Sequence, residues 1–127
     1  MKIIYNKYIP FKGYTAINLF NIVVIRKDKK QVFERAPYLL DKLKRHEYIH
    51  TKQGRELLWL LFYISYIVEY LIRKIQYRKA KKANGYKDKK AAYRNISFER
   101  EAYTNEYDIT YSKKRKLFAF IKYLKEV

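Results

Sequence analysis

Hydrophobic and polar positions divide the chain into two stretches of different period. Residues 2–27 run in short spans rich in β-branched and aromatic residues, as in "KIIYNKYI" and "YTAINLFNIVVIRK", and these predict strands. Pro10 ends the first span, and Gly13 permits the turn that follows. The charged "KDKK" at 27–30 reads as a turn, and "QVFER" after it as a short return strand. A small antiparallel sheet of two to four strands is expected, with edges that need cover or charge.

From Pro37 the period becomes helical. Leu39, Leu40, Leu43, His46, Glu47, Ile49 and His50 recur at spacings of three and four. Pro37 suits a first helical position, and Gly54 is the natural stop or bend. The next stretch, "RELLWLLFYISYIVEYLIRKIQYRKAKK", has no Gly, Pro, Asn or Asp and is the most helical in the chain. Its uncharged run from Leu57 stops at Glu69, short of the roughly 20 apolar residues that a membrane span needs. Ser65, Glu69, Arg73 and Gln76 make a polar stripe, with Glu69 and Arg73 spaced for an ion pair along the helix. A buried core helix is expected, and a helix lying in a membrane interface through residues 57–72 is the alternative.

"KKANGYKDKKAAY" reads as a solvated loop with a turn at Asn84-Gly85. Ser97 is the expected cap of a helix through "SFEREAY". "SKKRKLFAFIKYLKEV" predicts a last helix with Leu117, Phe118, Ile121 and Leu124 on one face. The fold class is therefore α+β: one domain over residues 1–127, mainly strand over 1–35 and mainly helical over 37–127. Its antiparallel sheet should pack on three to four helices.

Composition narrows the chemistry. The chain has no cysteine, so disulfides, thiolate metal sites and cysteine nucleophiles are excluded. A net charge of +18 invites contact with nucleic acid or an anionic membrane through Lys and Arg. The bland account is codon usage, because the abundant Lys, Ile, Tyr, Asn and Phe share AT-rich codons. No helix-turn-helix, zinc-finger or RNA-recognition motif is visible, so nucleic-acid binding would be phosphate-driven and salt-sensitive. The opening "MKIIYNKYIPFKGY" has neither the apolar core nor the cleavage site of a signal peptide, and a cytoplasmic location is expected.

The only two histidines both fall within His46-Glu47-Tyr48-Ile49-His50. Four residues apart on a helix, they share a face and can ligate one Zn²⁺, with Glu47 beside them as general base. A catalytic zinc needs a third protein ligand, and with no other histidine it must be a carboxylate. Glu56 would lie about 9 Å along the helix from His50. Glu69 is the runner-up, but a helix from Gly54 carries it about 22 Å away, past the metal. Glu99 can return through the 80–93 loop in the first turn of its helix, where Ala102 would allow close approach. Glu99 is the expected ligand.

His46-Glu47-Tyr48-Ile49-His50 followed by Phe98-Glu99-Arg100-Glu101-Ala102-Tyr103 resembles a small gluzincin, the pattern of one helix with HExxH and a later one with ExxA. HtpX-like peptidases share it, as do short zincin-like bacterial and phage proteins with "HExIHxxQ" and "FExEAY". The resemblance to the short group extends over most of the chain, including "KGYTAINLF" and "YRNISFEREAY". It implies a zinc peptidase or peptidase-like hydrolase acting on a peptide or protein substrate, with His46, His50 and Glu99 as ligands and Glu47 as base. The peptidase pattern carries Asp after the alanine, where this chain has Tyr103, so the carboxylate that orients a ligand histidine must come from elsewhere. In zincins a sheet edge beside the metal pairs with the substrate. Gly13, Tyr14, Thr15, Ala16, Ile17 and Asn18 are the candidate edge, an ordinary core strand being the alternative. A basic nucleic-acid-binding protein, or a structural component of a virion or other larger assembly on a degenerate scaffold, is the competing function.

Overall fold

The computed structural model describes residues 1–84 and 90–124. It is α+β, with three strands, β1 (Lys2–Asn6), β2 (Ala16–Leu19) and β3 (Ile22–Arg26), in the order β1-β3-β2. The sheet is mixed rather than antiparallel. Phe20 and Asn21, with φ of 50° and 70°, make the two-residue turn of a hairpin joining β2 to β3. β1 pairs with the free side of β3 in parallel, Lys2 opposite Ile22 and Asn6 opposite Arg26. Residues 7–15 carry the chain past the place that β3 takes. Val23 and Ile25 of this central strand are buried against the helices, and Val24, on the opposite face, is buried between its cross-strand neighbours Ile4 and Ile17, which are themselves exposed.

"QVFER" is not a return strand. Lys27–Lys29 forms a 3-10 turn that runs into helix α1 (Lys30–Arg35). β1 and β2 already occupy both edges of β3, so no ladder was open to a fourth strand beside it. As a helix the segment needs to bury only Phe33, which joins Val23 and Ile25 in the core under the sheet.

α2 (Pro37–Glu56) begins with Pro37 as expected and continues past Gly54. The bend comes at Leu58 and Trp59, both with φ of 54°. Gly54 is needed for a different reason: a Cβ there would run into the Trp59 indole, which folds back over the end of α2. α3 (Leu60–Asn84) therefore starts five residues later than the sequence pattern suggests. It is not a buried core helix. Phe62, Tyr63, Tyr66, Tyr70 and Arg73 turn inward, while Leu61, Ile64, Ile67 and Leu71 are half exposed or more.

The turn expected at Asn84-Gly85 lies outside the described residues. α4 (Ala91–Arg94) buries Ala91 and Ala92 where a solvated loop was expected. α5 (Ser97–Asn105) is capped from another helix. Ile96 is its N-cap residue, and the Glu69 carboxylate of α3 accepts from both the N–H and the hydroxyl of Ser97. Glu69 also pairs with Arg73 at 3.6 Å, as the sequence spacing suggested. After α6 (Tyr111–Lys114) the expected last helix breaks. The Glu56 carboxylate accepts the Phe118 N–H at 2.9 Å, and Phe118 adopts φ 56°. A 3-10 turn over Ala119–Tyr123 then buries Phe120 against Phe62, Ile96 and Phe98. Leu117, Phe118, Ile121 and Leu124 stay exposed.

Candidate metal centre

α2 carries His46 and His50 on one face, and α5 meets that face with Glu99. The approach is close because Ala102, fully buried, packs against Ile49. His46 Nε2 and His50 Nε2 lie 3.1 Å apart, and Glu99 Oε2 is 3.1 Å from the first and 3.2 Å from the second. Three ligands of a tetrahedral zinc with bonds of about 2.0–2.1 Å stand roughly 3.3 Å apart. The triangle matches that spacing, and the three residues form a group that could hold a metal ion.

The chemistry of the donors supports the same fit. Gln53 Nε2 donates to Phe98 C=O at 3.1 Å and to Glu101 Oε2 at 2.8 Å, which fixes the amide orientation. Its Oε1 therefore faces His50 Nδ1, 2.8 Å away, and that nitrogen must be the donor. His46 Nδ1 donates in turn to Glu106 Oε2 at 2.8 Å. With both Nδ1 atoms protonated, the neutral rings aim their Nε2 lone pairs at each other and at a carboxylate oxygen. Such a convergence of acceptors calls for a cation or for protons. Tyr66 completes it by donating to Glu99 Oε1 at 2.8 Å.

Electrostatics show how protons fill that role. Burial opposes the charged form of His46, but the hydrogen bonds to Glu106 and Glu99 outweigh it and push its pKa up to about 10. Burial likewise opposes charge on His50, and Glu99 more than offsets it. Burial works against ionised Glu99, yet the two histidines hold it well below the usual carboxylate range.

No family model, curated protein or solved structure matches the chain.

Glu47 is buried beside His46, and its carboxylate has no hydrogen-bond partner among the described residues. Burial raises its pKa, opposed by the neighbouring histidines. It lines a cleft of about 350 Å³ together with His46, Tyr93, Tyr103 and Gly13, Tyr14, Thr15 and Ala16. Those last four belong to the expected substrate edge. Ile17 is exposed, and Asn18 is buried in a structural role, its Nδ2 donating to Glu47 C=O and to Thr51 Oγ1, both at 2.9 Å. These bonds tie β2 to the helix of the histidines. Thr15 C=O accepts from Arg26 N–H, so by ladder alternation Ala16 and Asn18 turn their backbone groups outward. Tyr63 takes part of that edge, donating to Asn18 C=O and accepting from Phe20 N–H.

Glu69, spent on capping α5, lies outside the cluster, and so does Glu56, which pairs with Arg115. The carboxylate behind His46 is Glu106, a residue the sequence reading passed over. It lies seven residues beyond Glu99, one face of a helix two turns on, which is the signal that could have found it. Tyr103, standing where the peptidase pattern has Asp, instead lays its ring edge-on to His46, centroids 4.6 Å apart. Tyr66 carried no signal among fifteen tyrosines.

Proposed function

We propose that the chain is a zinc-dependent peptidase or peptidase-like hydrolase of small gluzincin type. The observation that carries this reading is the triangle of His46 Nε2, His50 Nε2 and Glu99 Oε2, with both imidazoles oriented through Nδ1. These three residues would hold the metal, which when bound polarises a carbonyl and lowers the pKa of water. Glu47 has the burial and raised pKa of a group that takes a proton from water and returns it to a leaving amine. Tyr103 faces the same cleft as a hydroxyl donor; burial and Glu99 push its pKa up to about 12, so it stays protonated at neutral pH. An extended peptide would lie along the open backbone of Ala16, beside the loop at Gly13–Thr15.

The test is metal analysis followed by hydrolysis of an unstructured protein such as casein. Wild type should hold near-stoichiometric zinc, and His46→Ala should not. Glu47→Gln should retain zinc and lose hydrolysis by about a hundredfold or more. A well-folded wild type that takes up no zinc would sink the proposal.

A further inference from the structure

Every Leu, Ile and Val of α3 from Leu60 to Ile75 is at least 50% exposed. The helix is built inside out. Phe62, Tyr63, Tyr66, Glu69, Tyr70 and Arg73 face the protein, and the aliphatic residues face outward. At 100° per residue the aliphatic positions span an arc of about 140°, wider than the narrow seam by which one helix packs on another in a coiled coil. Arg78 and Lys79 both fall within this arc and Lys74 borders it, and all three are exposed. The only acid among residues 60–79 is Glu69, which is turned inward onto Ser97. No helix of the described residues is long and apolar enough to cross a membrane.

We propose that the outer face of α3 docks on the surface of an anionic lipid bilayer. The helix lies in the interface plane, its aliphatic arc among the acyl chains and Lys74, Arg78 and Lys79 at the headgroups. A second copy of the chain fits less well. It offers no outward acid on α3 to answer Lys74, Arg78 and Lys79, and each chain carries a net +18. The proposal is independent of the metal centre.

The test is flotation of the full chain with vesicles of phosphatidylcholine and phosphatidylglycerol, and with phosphatidylcholine alone. Wild type should float with the anionic vesicles and much less with the neutral ones. Combined Lys74→Gln, Arg78→Gln and Lys79→Gln should weaken this by roughly two orders of magnitude. Combined Ile64→Ser, Val68→Ser and Leu71→Ser leaves the charge unchanged and should weaken it by about tenfold or more. Because the chain has no cysteine, Ile64→Cys can carry the only fluorophore. An environment-sensitive dye there should shift to the blue on anionic vesicles, whereas one at Tyr38→Cys, at the far end of α2, should not. This reading stands even if the serine variant folds poorly. Three results overturn the proposal: no flotation of wild type, flotation with no shift at position 64, or a vesicle-free dimer that the serine variant abolishes. The last would assign the face to a second copy, and the first would leave it to a protein partner.

Discussion

His50 owes its tautomer to a residue outside the HExxH pattern. Gln53 spends both amide hydrogens on Phe98 and Glu101, so its oxygen can only accept from His50 Nδ1. Glu106 does the same for His46 with a full charge. Removing such partners typically weakens metal binding by about 10–100-fold. Glu106→Gln, which keeps an acceptor but not the charge, should lie near the lower end and Glu106→Ala near the upper, as measured by competition with a calibrated chelator. Proton linkage gives a second expectation. His46 is pushed up from 6.5 to about 10, so its contribution to the chelated protein is full below pH 6.5 and lost as pH rises through about 10. Glu99 is depressed below 4.5, so its contribution is present above pH 4.5 and lost as pH falls through its folded value. Glu47 is shifted upward, which favours the fold most below pH 4.5, and that contribution fades as it ionises. Zinc must displace the imidazole protons, so its affinity should climb about tenfold per pH unit between pH 7 and 9 for each proton released. Calorimetry in buffers of different ionisation enthalpy counts those protons. A pH-independent affinity would mean that neither histidine is a ligand.

Between elements, the decisive joint is the turn from α2 to α3. Leu58 and Trp59 hold left-handed conformations that cost L-residues about 1 kcal/mol or more each. Trp59 is compensated by packing on Gly54 and on Phe62; Leu58, 77% exposed, is not. Leu58→Gly should therefore raise stability by about 0.5–1 kcal/mol, seen as a higher denaturant midpoint with an unchanged slope. The same joint shows what the amino-acid pattern could and could not convey. α2 follows a helical period and was legible, as was the helical character of α3, but which face of α3 turns inward was not, because its apolar residues go nearly all round. The bend was not, because the pattern stays apolar through Leu57–Leu60 and the positive φ values fall on residues that rarely adopt them. The parallel pairing of β1 with β3 was hidden for a related reason: alternation says that a strand has a buried face, not which neighbour it takes. "QVFER" failed at the same point, since only the filled edges of β3 exclude it from the sheet. Ser97 was legible as a helix start but not as a residue capped by Glu69, a partner 28 positions away.

Across the whole molecule, α2 and α5 are held together twice. At the candidate site the clamp is His46 and His50 against Glu99. On the other side of Gln53 it is a buried ion network, in which Arg115 meets Glu101 and Glu56, and Tyr111 donates to Glu101 at 2.8 Å. Glu101, fully buried, joins the two clamps through Gln53 and so through His50. The ion network does not depend on metal, and its two carboxylates cover the charge of Arg115 within the same core. The chelated protein should therefore remain folded, with zinc adding stability rather than creating the fold. Binding to the native state alone adds about 2.7 kcal/mol when free zinc stands at a hundred times its dissociation constant. For a chain of this length that is a rise in melting temperature of about 10 °C. Differential scanning calorimetry with and without a chelator should show that rise in wild type and in Glu47→Gln, whose ligands are intact. His46→Ala should lose it, and so should Glu99→Ala, which removes the one proposed ligand from α5. Arg115→Met should behave differently again. It strands two buried carboxylates and should lower the melting temperature with or without zinc, at a cost of about 3–5 kcal/mol, while leaving the zinc-dependent increment in place. If chelation unfolded the wild type outright, the metal clamp rather than the ion network would be what joins the two helices.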